Sequence, residues 1–517
     1  MFVGSIRRAV QIRGDALATV YGDRERSWRE SAGRTARLAA ALGKLGIGPG
    51  QSVGILSANS DRFLEAVHAI WWAGAVVVPM NVRWAVPEHV YSVGDASIDL
   101  IFADPSFAAT AQAIAAECPR VRHLVQMGDE QPPEGWFDFE ALIEAASPIP
   151  AYGQSDDALA GVFYTGGTTG TPKGVMHSAR SIASTSLTLY WTMRVPEAVR
   201  YLHASPMFHL GGMTPGFATT LVAGTHVFVP AFRPELVFAA VRRHRVQFSA
   251  MVPTMIQTLV DHPDFRAADF ASFEVLQYGG GAITERVRLA AEAALPNARL
   301  EQGFGQTECA GGATLLPHAV FQALAADDPK RRSAGRAAFG VEVRIVGPED
   351  APLSAGEVGE ICLRTPGAML GYLNRPEETA RTLRGGWLHT GDAGYLDADG
   401  YLFVVDRVKD VIRTGGENVF SAEVENAVGS HPAVASVAAI AVPDDKWGER
   451  VHVVVVPKPG CTVTLEELQA HCRALIAGYK IPRSFETRDS LPTSPQHKIL
   501  KSELRKPHWA GRERKIG

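Results

Sequence analysis

The run YTGGTTGTPKGVMHS (164–178) gathers four glycines, four threonines and one lysine where little bulk is left. Glycine lets a backbone approach a partner closely and take positive φ. Thr165, Thr168, Thr169 and Thr171 bring hydroxyls, and Lys173 brings a positive charge. A loop of this kind grips a polyanion, most simply a nucleotide phosphate. It departs from the G-x-x-x-x-G-K-[ST] pattern, because Pro172 separates Lys173 from the threonines and Gly174 follows the lysine. Phosphate binding is therefore expected without a P-loop kinase or ATPase around it.

Six further segments group polar residues with glycine at the ends of apolar runs. They are PMFHLGG (206–212), QYGGGAI (277–283), EQGFGQTE (301–308), GWLHTGD (386–392), DRVKDVIRTGGENV (406–419) and LPTSPQHKIL (491–500). Any one of them reads as a turn.

The segments between them supply the positioning. SVGILSA, AVVVPM, DLIFAD and HLVQM are short apolar runs suited to buried parallel strands. LAGVFYT leads directly into the glycine loop, and THVFVP, QFSAMVP and VLQYGGG are further strand candidates. RTARLAAALGKLGIGPG reads as an amphipathic helix ended by Gly and Pro, and PELVFAAVRRH as another helix. The alternation predicts an α/β fold of helix-covered sheets. Past about residue 340 the texture changes to VEVRIV, GEICLR and YLFVVD, antiparallel strands with Gly- and Asp-rich turns. DVIRT, SAEVENAVGSH, ASVAAIAVPD, VHVVVVPK and TLEELQAHCRALI then make a small α+β domain.

The chain has 517 residues, enough for more than one domain. Its net charge of −4 leaves no broad basic field for nucleic acid. Five cysteines, none in a C-x-x-C pair, fit reduced thiols in a cytoplasmic protein. The most apolar run, AVHAIWWAGAVVVPM, is too short for a bilayer, so no integral membrane association is expected.

Taken in order and spacing, the seven segments resemble the acyl-adenylate-forming enzymes, most closely the fatty-acyl and aryl-acyl CoA ligases, over nearly the whole chain. The resemblance implies a large N-terminal domain (1–406) holding the ATP and acyl sites. It also implies a small mobile C-terminal domain (407–517) hinged at Lys409. It implies ATP, Mg²⁺ and coenzyme A, an apolar carboxylic acid as substrate, and a homodimer.

The resemblance also implies roles residue by residue. Thr165, Gly166, Gly167, Thr168, Thr169, Gly170, Thr171 and Lys173 hold the phosphates. Gly166 stands where the family often has Ser. Glu308 and Thr168 serve Mg²⁺. Gly280, Gly281, Gln302, Gly303, Phe304, Gly305 and Thr307 surround the adenine, and Asp392 and Arg407 take the ribose. Lys498 bridges the carboxylate and the α-phosphate, although the family usually has Gly where His497 precedes it. His209 gates the acyl and thiol channel. It is not a general base, since the attacking carboxylate is already ionised. Gly415 and Gly416 line the pantetheine arm, and Trp447 stacks near CoA or packs locally.

The acyl pocket is expected from 203–213, 279–305 and 311–315, with Met207, Phe208, Met213 and Met251 favouring an apolar acid. Two alternatives stand beside CoA ligation. One is transfer of the acyl group to a carrier-protein thiol. The other is nucleotide binding without catalysis, which Glu308, Asp392, Arg407 and Lys498 together disfavour.

Overall fold

The computed structural model describes the chain except residues 154, 166–171, 282, 284, 409, 416, 494–498 and 511–517, and describes residues 285, 286 and 418 by backbone alone. The chain forms two compact units. One comprises Met1–Val343 with Leu363–Leu388, the other Arg344–Cys362 with His389–Gly517.

The first unit is α/β, built on two large, mainly parallel sheets. One runs, in spatial order, through Gly371–Tyr372, Lys173–Ser178, Leu159–Thr165, Val76–Pro79, Ser52–Leu56, Ile98–Ala103, His123–Gln126 and Phe137–Asp138. The four apolar runs expected as buried parallel strands all sit here, and alternation explains their composition. Val53, Ile55, Val77, Leu100 and Phe102 face a core shared with helices Asp61–Trp72 and Leu210–Leu221. Leu56, Val76, Val78, Ile98 and Ile101 face a second core on the other side. A strand covered on both faces has no polar side, so it reads as continuously apolar.

The other sheet centres on the parallel strands Leu17–Tyr21, Thr225–Phe228, Arg200–His203, Phe248–Met251, Val275–Gly279 and Arg299–Phe304. Phe228 reaches the shared core, while Leu276 and Leu300 pack outward with helix Pro234–His244. The first large helix starts earlier than its apolar pattern, at Trp28, because Ser27 and Glu30 form a reciprocal capping box. The run AVHAIWWAGAVVVPM divides between helix Asp61–Trp72 and strand Val76–Pro79. Among the described residues no helix is long and apolar enough to cross a membrane.

The second unit holds a sheet ordered Glu342–Val346, Gly359–Arg364, Leu388–Leu396 and Leu402–Arg407, the first strand beginning just inside the first unit. The last two strands pair antiparallel. A further sheet joins Glu417–Val419, Ile412–Thr414, Gly448–Pro457 and Val434–Asp444, with Ser484–Thr487 paired to Gly448–Pro457. Helices Ser421–Gly429 and Leu465–Arg473 cover it through Val424, Val428 and Leu468. This is the small α+β domain, and the four-stranded sheet groups with it.

Candidate active site

The glycine loop joins two neighbouring antiparallel strands, Leu159–Thr165 and Lys173–Ser178, which pair Thr165 with Lys173 at its mouth. Thr165 is half-buried at that end. Gly166, Gly167, Thr168, Thr169, Gly170 and Thr171 lie outside the described residues. The strand before the loop is anchored by Tyr164, whose hydroxyl donates to Asp95 at 2.7 Å. Lys173 forms an ion pair with Glu378 and stands 5.4 Å from the centre of the Tyr372 ring. Arg375 donates to the Pro172 carbonyl at 3.5 Å and to the Tyr91 hydroxyl at 3.1 Å.

Glu308 sits in a single 3₁₀ turn, Thr307–Cys309, just past the strand Arg299–Phe304. Three bonds fix that turn. The Glu308 carbonyl accepts from the Met369 amide at 2.9 Å. The Thr307 carbonyl accepts from His177 Nε2 at 2.7 Å. The Glu308 carboxylate accepts from the Tyr372 hydroxyl at 2.8 Å. A carbonyl only accepts, so His177 carries its proton on Nε2 and presents Nδ1 to the Ser181 hydroxyl at 2.9 Å. Burial pushes His177 down to about 4, so the ring is neutral at pH 7. Burial, together with the Glu308 charge, pushes the Tyr372 phenol up, so it stays a donor.

Tyr372 belongs to the edge strand Gly371–Tyr372, paired with Val175 beside the glycine loop. The strand pairing therefore brings Lys173, Glu308 and Tyr372 together. The donor set fits Mg²⁺. Glu308 is half-buried, offers carboxylate oxygens, and is held by a neutral donor that leaves its charge in place.

The other N-terminal motifs lie at the C-terminal ends of adjacent parallel strands, where α/β sheets take their ligands. Gly279 pairs with Gly303, and a Cβ on Gly279 would come within 2.5 Å of the Gly303 carbonyl oxygen. Gly280 follows with φ +74, a conformation glycine adopts freely. Gly281 is exposed. Gln302 and Phe304 are half-buried, and Gln302 Oε1 accepts from the Tyr278 hydroxyl at 3.0 Å. A Cβ on Gly305 would lie 2.7 Å from Gly312, so Gly305 packs backbone on backbone. His209 caps helix Leu210–Leu221, half-buried with its ring 4.3 Å from Phe208. Met207 and Met213 pack in the core shared by the two sheets, and Met251 packs in the outer core beyond the second sheet.

In the second unit Asp392 and Arg407 are register partners on adjacent strands, and Arg407 Nε lies 2.7 Å from the Asp392 carboxylate. Asp392 is 6% exposed while the Arg407 side chain is 44% exposed. The turn before Asp392 is held by Glu360, which accepts from the Gly391 amide at 3.0 Å, and by Thr390, which donates to the Ile361 carbonyl at 2.7 Å. Gly415 has φ +61, and a Cβ there would meet the Trp447 ring at 2.7 Å. Trp447 thus packs on the Gly415 backbone and is still 39% exposed. Lys409, Gly416 and Lys498 lie outside the described residues.

Two positioning residues, His177 and Tyr372, escaped the sequence reading. His177 closes the glycine-loop segment itself, and a histidine ending a buried strand was the available signal. Tyr372 had none, since its partner lies 64 positions away.

Comparison with known proteins shows the family of the chain. The AMP-binding enzyme family model matches residues 6–373, and the model of the AMP-binding enzyme C-terminal domain matches 423–498. A feruloyl-CoA synthase from an Amycolatopsis species is 38% identical over 97% of both chains. The medium/long-chain-fatty-acid–CoA ligase FadD8 of Mycobacterium tuberculosis is 34% identical over 100% of this chain and 91% of its own. The structure of o-succinylbenzoate CoA synthetase (MenE) from Bacillus subtilis, in complex with an acyl-adenylate intermediate, superposes with TM-score 0.85 at 28% identity over 97% of both chains. This chain belongs to the AMP-binding enzyme family of adenylate-forming enzymes.

Proposed function

We propose that this protein is an ATP-dependent acyl-CoA ligase for an apolar fatty or aryl acid, in which the chain's own residues divide two half-reactions between them. The observation that carries the reading is the cluster of Lys173, Tyr372 and Glu308 at the mouth of the glycine loop. It sets a cation and a metal-binding carboxylate beside one phosphate-gripping loop.

In the first half-reaction the ionised acid attacks the α-phosphate of ATP, forming acyl-AMP and releasing pyrophosphate. Two anions meet, so positive charge and fixed positions lower the barrier more than covalent help does. The loop from Thr165 through Thr171 and Lys173 hold the β- and γ-phosphates. Glu308, with Thr168, would hold Mg²⁺, which when bound would supply positive charge beside the phosphates. Tyr372 orients the Glu308 carboxylate, and His177 orients its turn. Gly280, Gly281, Gln302, Gly303, Phe304, Gly305 and Thr307 surround the adenine. Asp392 accepts from the ribose hydroxyls, with Arg407 beside it. Lys498 bridges the acid and the α-phosphate.

In the second half-reaction the CoA sulfur attacks the acyl carbonyl and AMP leaves. The small domain, 407–517, turns about Lys409 between the two steps. Gly415 and Gly416 then line the pantetheine arm, and His209 gates the acyl channel. The packing of Trp447 on Gly415 supports a shared wall there. The apolar acid is supported by the buried Met207, Phe208 and Met213 and by relatives that act on aryl and fatty acids. A homodimer and a cytoplasmic setting complete the proposal.

Pyrophosphate release with ATP and Mg²⁺ over a panel of straight-chain, branched and aromatic acids, with and without CoA, tests the reading. Release that depends on the acid and rises with CoA is expected. Release indifferent to CoA would assign the acyl group to another acceptor thiol.

A further inference from the structure

The small domain contains a side-chain cluster that neither half-reaction uses. His452 stands in strand Gly448–Pro457, Glu486 in the neighbouring strand Ser484–Thr487, and His508 in the 3₁₀ turn Lys506–Trp509. One potential ligand atom from each lies within 4.8 Å of the other two. The register makes this possible. His452 pairs with Ser484 and Val454 with Glu486, so Ser484 and Glu486 share a face with His452. The two imidazole rings are 4.8 Å apart at 52°.

Two observations point to a ligand. Among the described residues, His452 Nε2 and His508 Nε2 are both buried without a hydrogen-bond partner, a rare condition in folded proteins. The other nitrogen of His452, Nδ1, lies 2.9 Å from the Ser484 hydroxyl. An outer hydrogen bond of that kind fixes a metal-binding histidine with its free nitrogen facing the ion.

We infer that His452, Glu486 and His508 form a site for one divalent transition-metal ion of the zinc type. Two imidazoles and one carboxylate suit zinc, cobalt or nickel, whereas Mg²⁺ takes oxygen ligands. Tetrahedral zinc with bonds of about 2 Å needs ligand atoms about 3.3 Å apart, so the site must draw in. Glu486 is half-exposed and reaches outward to Arg488 at 2.7 Å, which gives it room to turn. Solvent supplies the fourth ligand. The ion would fasten the C-terminal tail to the sheet, alongside Leu504, buried against Ile440 and Val454, and Trp509, whose indole donates to the Ala441 carbonyl at 3.0 Å. The same tail carries Lys498.

The test uses the full chain without a histidine tag, stripped with a chelator. Co²⁺ is titrated while its visible absorption is followed, and Zn²⁺ is then added as competitor. We expect one tightly held Co²⁺ per chain, displaced by one Zn²⁺, and a higher melting temperature with Zn²⁺. His508→Ala and Glu486→Gln should each weaken Zn²⁺ binding at least about tenfold. Their metal-free melting curves should match that of the parent protein. Should His508→Ala fail to fold, Glu486→Gln carries the test. Cobalt absorption or Zn²⁺ stabilisation in the folded variants equal to that of the parent would overturn the site. So would a parent protein that takes up no Co²⁺.

Discussion

The Tyr372 hydroxyl donates to the Glu308 carboxylate across 2.8 Å, and the two residues stand 64 positions apart in the chain. The bond exists because the edge strand Gly371–Tyr372 pairs with the strand that leaves the glycine loop. Hydrogen bonds to charged groups contribute about 1.5–3 kcal/mol. Tyr372→Phe keeps the ring beside Lys173 and removes that bond, together with the hydroxyl's hydrogen bond with Thr382. We expect adenylation to slow by about ten- to a hundredfold, with a higher Mg²⁺ requirement and little change in melting temperature. Rapid-quench measurement of pyrophosphate formation over a Mg²⁺ series checks this. An unchanged rate would remove Tyr372 from the machinery.

Asp392 and Arg407 form a pair across two strands, the acid buried and the base half in water. Asp392→Asn preserves volume and removes charge and one acceptor oxygen. On the proposed ribose role, AMP affinity falls about tenfold, about the 1.4 kcal/mol of one charge-assisted bond. The variant should fold normally, because a pair with one exposed partner contributes about 1 kcal/mol or less. Calorimetric titration with AMP measures the effect. Wild-type affinity in the variant would place the ribose elsewhere.

His89 gives a test of stability against pH. It is fully buried, neither ring nitrogen has a hydrogen-bond partner among the described residues, and burial pushes it down to about 4. The unfolded chain holds that proton below about 6.5 and the folded chain only below about 4. Between these values the unfolded state binds more protons, so stability falls as pH falls. At pH 5.5 the cost is about 1 kcal/mol. His89→Leu removes it, while His177 and His203, also pushed down by burial, remain in both proteins. The melting temperature of His89→Leu should fall less than that of the parent between pH 7.5 and 5.5. Parallel curves would contradict the assignment.

The strands around the site were legible because both their faces are buried. SVGILSA and DLIFAD carry no polar side to obscure them, and LAGVFYT became the strand Leu159–Thr165. Glycines such as Gly280 were legible because their conformation or contacts constrain residue type. What stayed hidden depends on distant pairing. Neither Tyr372 beside Glu308 nor the Trp447 ring on Gly415 leaves a local pattern. Three strands of the four-stranded sheet were legible, in VEVRIV, GEICLR and YLFVVD, whereas Leu388–Leu396 was read only as a polar motif. The grouping of that sheet with the second unit was not legible, since contacts rather than composition decide it.

The central claim is that one small domain serves two half-reactions from two positions. The most direct test measures both half-reactions in Lys498→Ala and Lys409→Pro. Adenylation is read as pyrophosphate release. Thioester formation is read from supplied acyl-AMP and CoA. The account expects Lys498→Ala to lose adenylation and keep thioester formation, and Lys409→Pro to do the reverse. Equal loss of both half-reactions in Lys498→Ala, or normal thioester formation in Lys409→Pro, would contradict it.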